Sequence, residues 1–231
     1  MIVLYQYEIS PFCDKVRRVL NWKRLPFETR EVSMAGTVLG LRKLNPIGKV
    51  PALDLDGEPL ADSTHIARRL DERFPEPPLY PKEPRARALC HVLEDWADES
   101  LYFYEVELRF GDDAEAPRWV EQLTRQDNAA MRVISRFAVP FSMRRVTTSQ
   151  GTRRKPRDLL LRELRGHLDA VAECLDGAPW LLGPTLTMAD IAVFAQLRAI
   201  RTTERGSRLF EGAPAVVAWM ERVDAATSAR A

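Results

Sequence analysis

Residues 2–22 read IVLYQYEISPFCDKVRRVLNW, and this stretch contains the features that decide the fold. Its first part, Ile2–Tyr7, is rich in β-branched and aromatic residues, which is typical of a short strand. The second part, Pro11–Trp22, predicts a helix because its apolar residues recur on one helical face. Ser10 is a favourable N-cap and Pro11 a favourable first helical residue, so we expect a strand that leads directly into a helix.

The start of this helix is a candidate site for a thiolate. With Ser10 as the N-cap, Cys13 is the third helical residue, near the free N–H groups and the positive end of the helix dipole. The same field can lower the pKa of a cysteine held there. Alternatively, Ser10 only caps the helix, and Cys13 is a small buried residue that faces the sheet.

Strands and helices continue to alternate after this unit. Phe27–Val32 alternates as a second strand, and two short runs, Ala52–Asp56 and Glu58–Leu60, flank Gly57 as in a hairpin. Asp62–Phe74 then predicts another helix. The order strand, helix, strand, hairpin and helix indicates an α/β domain.

Two motifs beside these elements offer polar groups to an extended ligand. Lys49-Val50-Pro51 stands just before a strand, where a proline needs a special reason. A cis bond at Pro51 would expose the Val50 N–H and C=O for pairing, and Lys49 is a candidate partner for a carboxylate. Asp62 and Ser63 either cap the next helix or form an anion site, in which Ser63 holds a carboxylate and Asp62 accepts from an amino group.

Residues 75–84, PEPPLYPKEP, contain five prolines and therefore cannot form a helix interior or a central strand. We interpret them as a linker, which divides the chain into an α/β domain at 1–76, a linker at 77–84 and an all-helical domain at 85–231. Apolar spacing in the last part predicts several helices. One of them is expected to carry Val120, Leu123, Ala130, Ile134 and Phe137.

The segment Leu186–Ile191, LTMADI, predicts the start of a buried helix. Thr187 as the N-cap and Asp190 three residues later have capping-box spacing, and the two flanking apolar residues complete a hydrophobic staple. The predicted role of this motif is structural.

Charge and cysteine content exclude several classes of protein. The 231 residues carry 34 Lys plus Arg against 33 Asp plus Glu, a net charge of +1, which disfavours a general nucleic-acid coat. The cysteines Cys13, Cys90 and Cys174 are too widely spaced to indicate a disulfide framework or a zinc site. With no signal peptide or membrane span predicted, we expect a cytoplasmic protein without a metal, a nucleic-acid partner or a membrane partner.

One local charge run stands out against this balance. The stretch Arg144–Arg157 contains six basic residues and no acid. It is either a solvated loop between helices or a patch for an anionic ligand or a partner.

Taken together, SPFC, KVPAL, DST and LTMADI, in this order around a proline-rich linker, resemble the cytosolic glutathione transferase superfamily over essentially the whole chain. The resemblance implies a thioredoxin-like α/β N-terminal domain, an all-α C-terminal helical domain and a homodimer, with a role in detoxification. It also implies glutathione as co-substrate. The start SPFCDKVRRVL is most similar to the serine-type and cysteine-type classes.

This resemblance assigns expected roles to particular residues. Ser10 falls where the family's serine or cysteine contacts the glutathione sulfur, so its hydroxyl would stabilise the thiolate. Val50 falls where the family's backbone pairs with the cysteinyl part, and Asp62 falls where an acid holds the γ-glutamyl end. The predicted glutathione-binding residues are Lys49, Val50, Pro51, Asp62 and Ser63.

Two departures from the family pattern leave alternatives open. The chain has a cysteine at position 13, not at 10, and Tyr7 lies near where other classes place a catalytic tyrosine, so Cys13 and Tyr7 are alternative catalytic residues. The leading function is conjugation of the glutathione thiolate to a hydrophobic electrophile. The alternatives are a glutathione-dependent thiol oxidoreductase that uses Cys13 and a non-catalytic binding module on the same fold.

Overall fold

The computed structural model describes residues 1–34, 41, 45 and 47–229. Its N-terminal part contains a sheet, in which the described strands are β1 (Ile2–Gln6), β2 (Glu28–Glu31), β3 (Ala52–Leu55) and β4 (Glu58–Ala61). Their order in the sheet is β2-β1-β3-β4. Strand β1 runs parallel to β2 and antiparallel to β3, and β3 runs antiparallel to β4.

The register of the sheet brings apolar side chains of three strands together. Leu4 lies opposite Leu53, and Leu53 lies opposite Leu60. Residues that lie directly opposite each other point to the same face of a sheet. All three leucines are buried, so they form a continuous apolar strip against the helices.

Two helices, α1 (Pro11–Trp22) and α2 (Ser63–Arg73), pack against each other and against the sheet. The bounds of α1 agree with the prediction. Helix α2 is one residue shorter than predicted at each end, because Asp62 caps it from outside at its start and Phe74 is its C-cap residue. Each helix buries one apolar face, and the fully buried residues of these faces include Val16, Val19, Leu20, Ile66 and Leu70.

The C-terminal part is made of helices joined by turns, as predicted. They are α3 (Pro84–Trp96), a π-helical turn (Ala97–Leu101), α4 (Tyr102–Phe110), α5 (Ala116–Leu123), α6 (Ala129–Gln150), a 3-10 turn (Thr152–Arg154), α7 (Arg157–Cys174), α8 (Met188–Arg201), α9 (Glu204–Phe210) and α10 (Pro214–Thr227). Helix α8 is buried on nearly all sides, and only Arg198 and Arg201 near its C-terminal end are exposed. Among the described helices, none is both long and apolar enough to span a membrane.

The single helix predicted from Val120 to Phe137 is wrong, because the chain turns between α5 and α6. Asn128 caps α6 by accepting a hydrogen bond from the Met131 N–H at 2.9 Å. Asparagine is among the most favourable N-cap residues, so a new helix starts there. Ile134 and Phe137 are 59% and 72% exposed, which means that their spacing does not mark a core face.

The sheet and the helical part share one apolar core, which contains residues of both. Helix α1 packs against α8, and Arg18 donates from α1 to Asp224 and Thr227 of α10 at 2.7 Å each. The Arg18 guanidinium also lies 4.1 Å from the centre of the Phe194 ring. The proline-rich segment between the two parts contains no helix or strand and leads into α3 at Pro84.

The basic run Arg144–Arg157 is not a solvated loop. Its first residues belong to α6 and its last residue starts α7. Four of its cations form ion pairs with acidic side chains that lie on other segments: Arg144 with Asp113, Arg153 with Glu107, Lys155 with Glu163, and Arg157 with Asp112. Most of the run therefore balances acidic side chains within the fold.

Candidate active site

The turn between β1 and α1 places Ser10 on the wall of a cleft. The Ser10 N–H donates to the Tyr7 carbonyl at 3.0 Å, and the Ser10 Oγ accepts from the Cys13 N–H at 3.4 Å as the N-cap of α1. The side chain is half-buried and lines a cavity of about 800 Å³. Since the hydroxyl oxygen accepts the cap bond, its proton can be donated to an anion in the cleft.

Cys13 has a different environment from Ser10, although both lie in the first turn of α1. Its side chain is completely buried. Burial raises the pKa of the Cys13 thiol to about 11, although the hydrogen bond with Ser10 acts in the opposite direction. The geometry therefore favours a neutral, buried thiol at position 13.

The Tyr7 side chain is directed towards the segment that follows β2. Its hydroxyl lies 3.4 Å from the Ser33 carbonyl oxygen and 3.5 Å from the Met34 sulfur, and it donates to these acceptors. Tyr7 is half-buried. Its backbone carbonyl accepts the hydrogen bond from the Ser10 N–H.

The loop before β3 presents the second predicted segment. The Val50–Pro51 peptide bond is cis and stands immediately before β3. Asn45 organises this loop, because its Nδ2 donates to the Lys49 carbonyl and its Oδ1 accepts from the Ile47 N–H at 2.8 Å. Val50 is half-buried and Lys49 is exposed. The sequence motifs did not assign a role to Asn45. Its role could have been inferred from the preference of asparagine side chains for hydrogen bonds with the backbone of their own turn.

Asp62 and Ser63 start α2. Asp62 Oδ1 accepts from the N–H groups of Thr64 and His65 at 3.0 Å each, so the predicted cap is present. Asp62 is exposed, whereas Ser63 is only 5% exposed. Both cap bonds fall on Oδ1, and Oδ2 has no hydrogen-bond partner within the described ranges.

The register of the sheet brings the three predicted segments to one end. Tyr5 lies opposite Ala52, and Ala52 lies opposite Ala61. At this end the chain leaves β1 for Ser10, enters β3 from the cis-proline loop and leaves β4 for the start of α2. The residues predicted separately from three motifs are therefore neighbours in the fold.

A buried ion cluster lies next to this end of the sheet and joins it to the helical part. The Lys15 Nζ lies 2.6 Å from Asp98 Oδ2 and 2.8 Å from Glu94 Oε1, and it donates to Thr64 Oγ1 at 2.9 Å. Burial alone would lower the pKa of Lys15, but the two carboxylates outweigh it and raise that pKa. Since Thr64 follows Ser63 directly, the cluster fixes the first turn of α2 against the helical part.

The cleft beside Ser10 is lined by cations from elements that are far apart in the sequence. These are Arg17, Arg18, Arg109, Arg118, Arg125 and Arg198. Its apolar contacts come from Ile9, Pro11 and Trp119. No motif indicated these arginines, because α1, α4, α5, the turn after α5 and α8 contribute them one or two at a time. In the part of the chain that the structure describes, no group of His, Cys, Asp and Glu could hold a metal ion.

Comparison with known proteins relates this geometry to one family. Residues 4–78 match the N-terminal domain of glutathione S-transferases, and residues 113–222 match the C-terminal domain of the same family. The chain is 38% identical over 94 residues to the pyrimidodiazepine synthase of Drosophila melanogaster, and this match covers 39% of either chain. The chain thus spans only about two-fifths of the length of that relative.

Other matches extend along nearly the whole chain. The isoprene-epoxide–glutathione S-transferase of Rhodococcus sp. (strain AD45) is 26% identical over 241 residues, which cover 96% of this chain and 98% of that one. The crystal structure of a glutathione S-transferase from Rhodospirillum rubrum F11 has a TM-score of 0.65 at 26% identity, covering 97% of this chain and 88% of the other. With family matches in both halves and this common fold, the chain belongs to the glutathione S-transferase superfamily.

Proposed function

We propose that this chain is a glutathione transferase, which binds glutathione at the shared end of β1, β3 and β4 and transfers its thiolate to an electrophile in the adjacent cleft. The observation that carries the proposal is the position of Ser10. Its hydroxyl lies at the N-terminus of α1, lines the cleft and has a proton to donate. The Rhodococcus relative, which matches along most of this chain, is named for the transfer of glutathione to isoprene epoxide.

Ser10 acts by stabilising the anionic form of the glutathione sulfur. The thiol releases its proton to water, and the thiolate accepts a hydrogen bond from the Ser10 hydroxyl beside the positive end of α1. A decrease of one pKa unit, about 1.4 kcal/mol, gives roughly tenfold more thiolate near neutral pH. The sulfur then bonds to the electrophilic carbon, and the leaving group departs with the bonding electron pair, so no oxidant or reductant is consumed.

The remainder of glutathione is held by the segments around Ser10. The Val50 backbone, fixed by Pro51, pairs with the cysteinyl part. Asp62 Oδ2 accepts from the γ-glutamyl ammonium, while Ser63, the first residue of α2, holds its carboxylate. Lys49, which is exposed beside this loop, reaches the glycyl carboxylate.

The oxidoreductase alternative needs an accessible thiolate at Cys13. The side chain is completely buried and its pKa is raised to about 11, both of which oppose attack on a disulfide. Tyr7 is the other alternative, and its hydroxyl is directed to Ser33 and Met34. These observations support Ser10 over both alternatives.

We further propose that the protein is a homodimer, that it resides in the reducing cytoplasm and that it acts in detoxification. Helix α3 presents Leu89 and Val92 at 44% and 61% exposure, which gives it an apolar outer face. The three cysteines are free, in agreement with a reducing compartment. Sedimentation equilibrium of the wild type and of Val92→Glu tests the dimer: we expect the charge to dissociate it, and a monomeric wild type would contradict the proposal.

The proposed function is tested with glutathione, 1-chloro-2,4-dinitrobenzene and the Ser10→Ala variant. We expect the wild type to be retained on immobilised glutathione and to catalyse release of chloride. Removal of the hydroxyl should lower kcat about 10- to 100-fold, because one hydrogen bond to a developing or full anion is lost. Binding of glutathione, measured by calorimetry, should change less than about threefold, since the remaining contacts are intact.

The matched control is Ser207→Ala, which removes an exposed hydroxyl on α9 and should leave kcat unchanged. Full activity in Ser10→Ala would remove Ser10 from the mechanism. Failure of the folded wild type to bind glutathione at millimolar concentration would refute the transferase proposal and favour a non-catalytic binding module.

A further inference from the structure

The cleft beside Ser10 has an excess of positive charge on its helical wall. Three arginines, Arg109 of α4, Arg118 of α5 and Arg198 of α8, line this wall together with Trp119. These helices meet at the cleft only in the folded chain. A cavity of about 800 Å³ is the size of a small-molecule site.

Arg109 connects this wall to the catalytic turn. Its Nη1 donates to the carbonyl of Ile9, the residue before Ser10, at 2.8 Å, and lies 2.7 Å from Glu105 Oε1. The residue is 4% exposed, and its Nε has no hydrogen-bond partner within the described ranges. Arg109 is therefore a fixed cation whose hydrogen-bonding capacity is not exhausted by the protein.

Arg118 is the second cation of this wall. Unlike Arg109, it has no acidic partner among the described residues. Its guanidinium carbon lies 4.7 Å from the centre of the Trp119 ring, and that of Arg109 lies 4.1 Å from the same ring. Two guanidinium groups thus share one indole. Burial lowers the pKa of Arg109, Glu105 opposes this shift, and the charges of Arg118 and Arg198 lower that pKa further.

Arg198 is only partly neutralised. It lies 3.1 Å from Asp14, and the same carboxylate also pairs with Arg17 and Arg18 at 3.2 and 3.0 Å. Burial would raise the pKa of Asp14, but the three arginines outweigh it and hold that pKa below its usual value. Arg18 also pairs with Asp224, so two carboxylates serve these three arginines. The Arg198 side chain is half exposed.

The other acidic groups of the cleft already have partners. Glu8 pairs with Arg125 at 3.1 Å, and Asp224 pairs with Arg18 at 2.7 Å. Glu31 accepts from Gln6 Nε2 at 2.6 Å. The partners of Glu31 are neutral donors, namely Gln6 and the Glu8 N–H, but none of these three carboxylates forms an ion pair with Arg118. An anionic ligand is therefore the natural complement of the Arg118 guanidinium.

From this geometry we infer that the electrophilic substrate carries a carboxylate or a comparable anionic group, which Arg118 and Arg198 bind while the reacting carbon faces Ser10. Apolar contact with Trp119, Ile9 and Pro11 accommodates the uncharged body of the substrate. The reaction itself rests on the proposed transferase function, but binding of the anion does not. The second substrate is therefore amphipathic and anionic, whereas the sequence led us to expect a hydrophobic electrophile.

The test compares an anionic probe with a neutral counterpart of the same shape, namely 4-chloro-3-nitrobenzoate and its methyl ester. Binding of each to the wild type is measured by calorimetry without glutathione, and kcat/KM is measured with glutathione. We expect the wild type to bind the carboxylate about tenfold or more tightly than the ester. Arg118→Gln and Arg198→Gln should each reduce that preference about 5- to 10-fold, with little effect on the ester.

The matched control is Arg162→Gln on the exposed surface of α7, where the arginine pairs with Asp158. It should retain the full preference for the carboxylate. Equal binding of both probes to the wild type, or a preference that survives in both cleft variants, would overturn the inference. A rise in the KM of glutathione with no change for the electrophile would overturn it as well, because the arginines would then hold glutathione.

These outcomes separate the inference from the transferase proposal. If the ester is conjugated and the carboxylate has no advantage, the inference fails while the transferase function stands. If the carboxylate binds through Arg118 and Arg198 but neither probe is conjugated, the anion site stands while the transferase proposal fails.

Discussion

At the scale of single residues, Ser10 and Cys13 lie three positions apart in one helical turn but differ in chemistry. Ser10 can donate a hydrogen bond to a ligand, whereas Cys13 is a buried thiol. Ser10 is the N-cap, with extended backbone angles, and its side chain lies beside the cleft. Cys13 is the third helical residue and is fully enclosed by the protein. Both receive the field of the same helix terminus, but burial dominates at Cys13 and raises the pKa of its thiol.

The thiols of the native protein should therefore differ in their reactivity towards iodoacetamide. At about pH 8 we expect Cys174, which is exposed, to be alkylated, while Cys13 and Cys90 stay unmodified. Burial raises the pKa of Cys13 to about 11 and that of Cys90 to about 12, so hardly any thiolate is present at either position. Peptide mass spectrometry before and after unfolding in guanidinium measures this directly. Rapid alkylation of Cys13 in the native protein would revive the oxidoreductase alternative.

At the scale of elements, the start of α8 shows how a local motif is integrated into the core. The predicted capping box is confirmed, since Asp190 accepts from the Thr187 N–H at 2.9 Å. Asp190 also accepts from the Leu181 N–H at 2.9 Å and from Trp219 Nε1 at 3.0 Å. A motif that begins as a helix cap therefore also fixes the loop before the helix and a tryptophan of α10.

Replacement of Asp190 by alanine should destabilise the protein strongly. The carboxylate is fully buried, and its removal leaves the N–H groups of Thr187, Leu181 and Trp219 without their acceptor. We expect the free energy of unfolding to fall by about 3 kcal/mol or more in urea titrations. Asp158→Ala, which removes an exposed carboxylate from the first turn of α7, should cost less than about 1 kcal/mol. Equal losses in the two variants would contradict the structural role.

At the scale of the whole molecule, the cluster of Lys15, Glu94 and Asp98 joins the sheet side to the helical part. Its Lys15 and Glu94 side chains are almost completely buried. A buried ion pair is costly to break from one side, because the remaining charge loses both its partner and its water. The cluster therefore couples the first turn of α2, where glutathione is proposed to bind, to the packing of α3.

Lys15→Met should reveal this coupling. We expect the free energy of unfolding to fall by about 3 to 5 kcal/mol, since Glu94 and Asp98 are left uncompensated. Lys155→Met, which removes a partly exposed lysine paired with Glu163, should cost less than about 1 kcal/mol. Combining Lys15→Met with Glu94→Gln and Asp98→Asn should recover part of the loss, because no unpaired charge remains. A loss in Lys15→Met no larger than in the control would contradict the proposed coupling.

Much of the fold, and the segments that meet at the candidate site, could be predicted from the sequence, because the signals that mark these elements are local. A cap and a proline mark the start of α1, a glycine marks the hairpin, and the LTMADI motif marks α8; each depends on contacts within a few residues. Apolar spacing predicts a single helix from Val120 to Phe137, because this spacing continues across the turn. The structure has two helices there, since Asn128 caps the start of a new one. The exposed positions of Ile134 and Phe137 depend on what packs nearby, which spacing alone does not reveal.

The sequence by itself determined the fold family, the order of the elements and the segments that meet around Ser10. The tertiary structure alone decided that Cys13 is enclosed, that Lys15 lies among carboxylates and that Arg109, Arg118 and Arg198 face one cleft. The physical reason is the range of the interactions. Helix capping and turn formation act along a few adjacent residues, whereas pKa values and charge balance depend on burial and on distances through space between distant parts of the chain.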